Sequence, residues 1–129
     1  MNKDYIKGLF DMASFGLGYS YSKINFLPKE GYSEQFQYLY DIKQDISFQK
    51  IDFDLKSFVE NVFQLNDEAV KTFIYFLTKQ LGECSAIYTI EDGNVIDRVE
   101  KNSTFYIVDD IFFLVFPEVI LSIVIGNNE

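Results

Sequence analysis

Histidine and tryptophan are missing from this chain, and cysteine occurs once, at Cys84. Without histidine, the commonest general base and the commonest metal ligand are gone. A Ser-His-Asp triad and a Cys–His dyad are impossible for the same reason. One cysteine without histidine also excludes a structural zinc site of the Cys/His kind. A lone thiol forms no internal disulfide, so a secreted disulfide scaffold is excluded too. Cys84 reads as a small buried hydrophobe at the start of a strand. Basic residues are scarce in the second half of the chain and absent after Lys101.

The motifs of common chemistries are missing as well. There is no G-x-S-x-G elbow, no G-K-[ST] and no EF-hand spacing around Asp92-Gly93-Asn94. Gly16-Leu17-Gly18 lacks the third glycine of a dinucleotide loop, because position 21 is Tyr. Two carboxylate pairs remain, Glu91-Asp92 and Asp109-Asp110. A glycosidase or a metal-dependent phosphoryl-transfer enzyme sets its carboxylates across a cleft. These pairs are adjacent in predicted turns, where aspartate is ordinary turn chemistry. The expectation is a non-enzymatic chain with no catalytic residue, no cofactor and no metal.

No long hydrophobic run is present either. The stretch from Phe105 to Ile125 is broken by Asp109-Asp110 and by Pro117-Glu118. Its longest charge-free piece, Val119 to Asn128, falls short of the roughly 20 residues a spanning helix needs. Met1-Asn2-Lys3-Asp4-Tyr5 is charged and has no apolar h-region, unlike a signal peptide. Asn102-Ser103-Thr104 fits the glycosylation sequon, which without a secretory signal reads as a chance match. These features predict a cytoplasmic protein without membrane association.

What is present is apolar and aromatic. Hydrophobic residues make up 48% of the 129, with 14 Phe and 9 Tyr, a composition that opposes disorder. The length suits a single domain, 1–129, with one core. The net charge of -9 is unevenly placed. Residues 1–50 hold six lysines and six acids, whereas residues 51–129 hold five basic residues against fourteen acids. Such a balance disfavours nucleic acid and anionic membranes as partners and favours a basic one. Acidity also keeps an aromatic-rich protein soluble.

Periodicity divides the chain into a helical part, about 1–82, and a sheet part, about 83–129. Ile6, Leu9, Phe10 and Ala13 predict a helix over Lys3–Ser14. Alternation of large and small residues predicts an extended segment over Phe15–Tyr21. Pro28 and Gly31 mark a loop, and Ser33 suits the N-cap of a helix reaching Gln44. Asp54 and Asp67 suit the caps of two further helices. One carries Leu55, Phe58, Val59, Val62 and Phe63; the other carries Val70, Phe73, Ile74, Leu77 and Leu81, with Gly82 just beyond its end. After Gly82 the period changes to two. Asp92-Gly93 predicts a tight hairpin turn between strands 86–91 and 94–101. Further strands are expected over Thr104–Val108, Ile111–Phe116 and Val119–Ile125, with Asp109-Asp110 as a turn. The expected fold is therefore α+β, with N-terminal helices packed on a C-terminal, mostly antiparallel meander of about five strands. The last strands are apolar at nearly every position. They are either covered on both faces or present a face to a partner.

Binding residues are expected where charge and aromatic rings meet the sheet. Glu83, Glu91, Asp92, Asp97 and Glu100 lie on or beside the first predicted hairpin. Asp109, Asp110 and Glu118 mark the later turns, and Tyr88 and Tyr106 are candidate anchors. Charge complementarity sets register and speeds encounter, while a few aromatic anchors supply most of the affinity.

In overall character, short helices followed by a meander through Tyr106-Ile107-Val108-Asp109-Asp110-Ile111-Phe112-Phe113-Leu114-Val115-Phe116-Pro117-Glu118 and a Gly126-Asn127-Asn128-Glu129 tail, the chain resembles bacterial toxin-immunity proteins of the contact-dependent or polymorphic type. The resemblance rests mainly on residues 84–129. It implies a small acidic cytoplasmic protein, a monomer or weak homodimer, that neutralises the C-terminal domain of a cognate toxin, often a nuclease with a basic cleft. It carries no functional residue over. Two other classes stand beside it: an acidic phage-type or regulatory inhibitor that mimics nucleic-acid charge, and an oligomeric structural protein joined through the face of Ile111–Phe116.

Overall fold

Two neighbouring strands that are apolar at almost every position organise the molecule. The computed structural model describes residues 1–18 and 20–128. The elements run α1 (Lys3–Ser14), a 3-10 turn (Phe15–Leu17), β1 (Ser20–Leu27), α2 (Tyr32–Tyr40), β2 (Gln49–Lys50), α3 (Leu55–Phe63) and α4 (Asp67–Leu81). They continue with β3 (Ala86–Thr89), α5 (Gly93–Lys101), β4 (Ile107–Val115) and β5 (Ile120–Asn127). The strands form one sheet in the order β1-β5-β4-β3-β2, and every pair is antiparallel. The fold is α+β, as expected.

β4 and β5 lie at the centre and are covered on both faces. Alternate residues of a strand point to opposite sides. Phe112, Leu114, Leu121 and Ile123 meet α1, α3 and α4 through Phe10, Phe58, Phe63 and Leu77. Ile111, Phe113, Ile120 and Val124 meet α2 and α5 through Phe36, Tyr40, Val95 and Val99. The consecutive Phe112 and Phe113 show the arrangement plainly. Phe58 packs edge-on against Phe112 at 4.9 Å, and on the other face Phe36 and Phe48 each stand 4.9 Å from Phe113. Full burial of each ring stabilises by about 2–3 kcal/mol. Ile111–Leu114 and Phe116 are thus covered by the chain's own helices, and an oligomer built through that face is ruled out.

The helix caps follow the local chemistry. Asn2 accepts from the Tyr5 N–H at 3.0 Å and Asp54 from the Ser57 N–H at 2.8 Å. The cap of α4 is Asn66, one residue before the predicted Asp67, and it accepts from the Ala69 N–H at 2.9 Å. Gly82 ends α4 at φ 82°, a conformation glycine adopts freely. α2 differs from expectation at both ends. Gly31, in the left-handed region, precedes it instead of a Ser33 cap, and it stops at Tyr40, where Asp41 turns left-handed at φ 52°.

Four other expectations are overturned. Residues 94–101 form α5, not a strand. Val95 and Val99 are four apart, a spacing that fits a strand face and a helix face equally. Asp92 caps this helix by accepting from the Asn94 N–H at 2.9 Å, so Asp92-Gly93 is no hairpin turn. Asp109-Asp110 is no turn either: both lie inside β4, which continues from Ile107 to Val115 and absorbs the separate strand expected over Thr104–Val108. The register passes from Val108 opposite Gly126 to Asp110 opposite Ile125, so Asp109 is the extra residue of a β-bulge. The extended segment expected over 15–21 is a 3-10 turn at Phe15–Leu17, while Ser20 and Tyr21 open β1 and Tyr19 lies outside the described residues. Finally, β1 and β2 come from the part of the chain read as helical.

Two glycines separate these alternatives. A Cβ on Gly126 would collide with the Ile107 carbonyl oxygen and the Phe105 ring, so Gly126→Ala should lower the melting temperature sharply. A Cβ on Gly93 would meet nothing within 4 Å. Gly93→Ala should therefore stabilise the protein by about 0.5–1 kcal/mol in chemical denaturation, whereas a type I′ turn would lose stability from the same change.

Candidate protein-binding surface

α1 and α4 each carry two apolar stripes. On α1, Ile6, Phe10 and Ala13 are buried in the core. Tyr5, Leu9 and Met12 each precede one of them and form a second stripe about 100° around the helix. On α4, Val70, Phe73 and Leu77 face the core, and Ala69, Thr72 and Phe76 form the corresponding second stripe. The two second stripes border a groove of about 320 Å³ whose lining includes Leu9, Met12, Leu65, Phe73 and Phe76, with Glu68 on its wall. At one end the Asn2 N–H donates to Gln80 Oε1 at 2.9 Å and ties the antiparallel helices together. At the other end the chain enters the 3-10 turn, where Phe15 is 84% exposed and Met12 is 69% exposed.

A second, polar hollow of about 460 Å³ lies beyond that turn. Gly16, Leu17 and Ser20 form one wall, Asn61 and Gln64 another, and Asp109 and Asp110 a third. The two hollows meet at the 3-10 turn and at the link between α3 and α4: Leu65 lines the apolar groove and Gln64 the polar one. Gln64, at φ 54°, is the left-handed residue that ends α3 and starts this link. Along the chain, exposed Phe15 falls between Ala13, which lines the apolar groove, and Gly16, which lines the hollow that holds the two carboxylates. Among the described residues, neither carboxylate has an ion-pair or hydrogen-bond partner. Asp109 and Asp110 lie at the bulge, and both are exposed although Val108 and Ile111 on either side are buried.

The other predicted contact residues lie elsewhere. Asp97 and Glu100 sit on α5, over the opposite face of the sheet, beside the 69%-exposed Tyr106. Asp92 is occupied by capping and by Gln44 Nε2, which donates to it at 3.0 Å. Glu91 precedes it and is exposed. Glu83 and Glu118 mark the far end of the sheet, beside the contact between Gly82 and Pro117. Tyr88 is half-buried in β3 against the core layer of α2 and α5. A single acidic surface over residues 83–118 therefore does not form. Sequence reasoning missed Met12, Phe15, Glu68 and Phe76. The signal was the second stripe of α1 and α4, which the core stripe beside it obscured.

Charge elsewhere is already used within the fold. The only arginine, Arg98, reaches Asp41 Oδ2 at 2.7 Å and the Asp41 carbonyl at 2.9 Å, and Lys43 adds a contact to the same carboxylate at 2.9 Å. Lys43 and Arg98 hold the Asp41 carboxyl below its usual range. Burial pushes the Cys84 thiol up, away from the reactive thiolate. Among the described residues no group of three or more His, Cys, Asp or Glu could hold a metal ion, and no helix is long and apolar enough to cross a membrane. Comparison with family models, with curated proteins and with solved structures finds no match to the chain.

Desolvation, and secondly the charge of Asp109, raise the Asp110 carboxyl above its ordinary pKa. A carboxyl raised in the folded state favours folding in its protonated form, so its ionisation costs stability as pH rises through the folded pKa. Asp110→Asn should therefore raise the melting temperature at pH 7. The advantage should disappear below the usual aspartate pKa, in thermal scans run across that range. Unchanged melting at pH 7 would contradict the desolvated position.

Proposed function

We propose that this protein is a stoichiometric inhibitor of the immunity type, which binds a cognate toxin domain and blocks its active site or an adjacent surface. The observation that carries the reading is the turn that holds exposed Phe15, which joins the helix bordering the apolar groove to the residues lining the hollow of two unpartnered carboxylates. An accessible aromatic ring that fills a partner's pocket supplies affinity, and flanking charges supply register and encounter rate. The excess of acid over residues 51–129 suits a basic partner, such as a nuclease cleft. Ionisation of Asp110 works against folding, which favours a role in binding over one in stability. The reading assigns no catalytic residue and no cofactor. It places the protein in the cytoplasm, acting as a monomer or weak homodimer. A nucleic-acid mimic would align its carboxylates along one face, whereas here they are divided between both faces and both ends of the sheet.

The test begins with the gene immediately upstream, which the reading expects to encode a large protein with a toxic C-terminal domain. Co-expression with this chain should restore growth. Phe15→Ala should weaken binding by about 30-fold, the effect of losing a hot-spot aromatic, with little change in melting temperature. Asp109→Lys with Asp110→Lys should abolish rescue. At about 0.5 M salt, where the Debye length falls under about 5 Å, the association rate should drop more than the dissociation rate changes. Failure of rescue, or rescue indifferent to both sets of substitutions, would overturn the proposal.

A further inference from the structure

β1 is an open edge. It borders the sheet and pairs with β5 from Ser20 to Leu27 without a register break. In such a strand every second residue turns its N–H and C=O away from the neighbour. Among the described residues, the β1 main chain makes no hydrogen bond other than those to β5. The opposite border is β2, only two residues long, so β1 is the long template. Its protection is thin: it has no proline and no bulge, and Lys23 is its one charge.

The edge is bordered by cations on both faces of the sheet. Lys23 is exposed and shares its side with Tyr21, on the face covered by α2 and α5. On the other face, α1 packs beside β1. The Ser14 hydroxyl lies 2.8 Å from the Ser22 hydroxyl, and Lys3 Nζ lies 5.4 Å from the centre of the Phe26 ring. Lys7 falls on the same stripe of α1 as Lys3 and Ser14, and Asp4 and Asp11 lie one stripe further round. Among the described residues, none of Lys3, Lys7 and Lys23 forms an ion pair.

We propose that β1 accepts an extended, acidic segment of another protein as an added strand, with its carboxylates meeting Lys23 on one face and Lys3 and Lys7 on the other. Main-chain bonds supply the affinity and the lysines supply the preference. A second copy of this chain fits worse. A twofold pairing centred on Lys23 sets Lys23 against Lys23, and one centred on Ile24 sets it against Asn25. β1 holds no acid, so no register of two copies gives Lys23 a facing carboxylate on the partner strand. This surface adjoins the one around Phe15 at Ser20, and it stands whether or not the immunity reading holds.

The test uses the full chain labelled for amide NMR and a capped peptide of about eight residues in which Glu alternates with Val and Thr. Alternate amides of residues 20–27 should shift and gain exchange protection. A peptide with Lys in place of Glu should bind about fivefold more weakly or worse, as expected from a few lost cross-strand ion pairs. Lys7→Glu with Lys23→Glu, both at exposed positions, should reverse that preference while leaving the spectrum folded. No response of the β1 amides, equal binding of the two peptides, or a dimer in sedimentation that pairs through β1 would each overturn the proposal.

Discussion

The packing of β4 and β5 between two helical layers is the constraint on which the other features depend. A strand buried on both faces is apolar at nearly every position, so its neighbours supply two sets of partners. Phe112 and Phe113, side by side in sequence, are met by Phe58 from one layer and by Phe36 and Phe48 from the other. Both layers therefore require helices long before the strands are made, and the chain provides α1, α3 and α4 for one face and α2 for the other. α5, inserted between β3 and β4, completes the second layer. β1 then pairs with β5, the last strand, so the sheet is not finished until the end of the chain has been placed.

The candidate surface arises at one end of that sheet. β4 is longer than β3, and its residues before Phe112 extend past the β3 pairing. The bulge at Asp109 sits in this overhang, opposite Gly126, where the Ile107 carbonyl and the Phe105 ring leave no room for a side chain. Two carboxylates are thereby presented beside the turn that carries Phe15. The apolar groove, the ring and the carboxylates are thus products of one corner of the fold. The lysines at the open edge of β1 belong to the electrically balanced first half of the chain.

Much of this was legible in the residues, and the exceptions have physical causes. α1, α3 and α4 show clear 3.6-residue stripes with capping residues at or next to the expected positions. The apolar character of β4 and β5 announced burial on both faces. α5 was misread because Val95 and Val99 satisfy two periods and because Asp before Gly serves a helix cap as well as a turn. β1 escaped notice because Tyr21 and Leu27 face one layer while Ile24 and Phe26 face the other, so no polar alternation marks it. β2 is too short to leave any pattern. The acidic residues were identifiable as a set, but their division between the two faces is a matter of tertiary placement. Asp109 and Asp110 were singled out as a carboxylate pair in a turn, whereas they lie within β4.

The central claim is that a partner covers the corner formed by Phe15, the groove between α1 and α4, and the bulge of β4. Hydrogen exchange of this chain, alone and with the toxin domain encoded upstream, tests it most directly. Protection should concentrate in residues 12–18, 64–69 and 107–110, with α5 unchanged. Protection centred on α5 and Glu118, with residues 12–18 exchanging as in the free protein, would contradict the account.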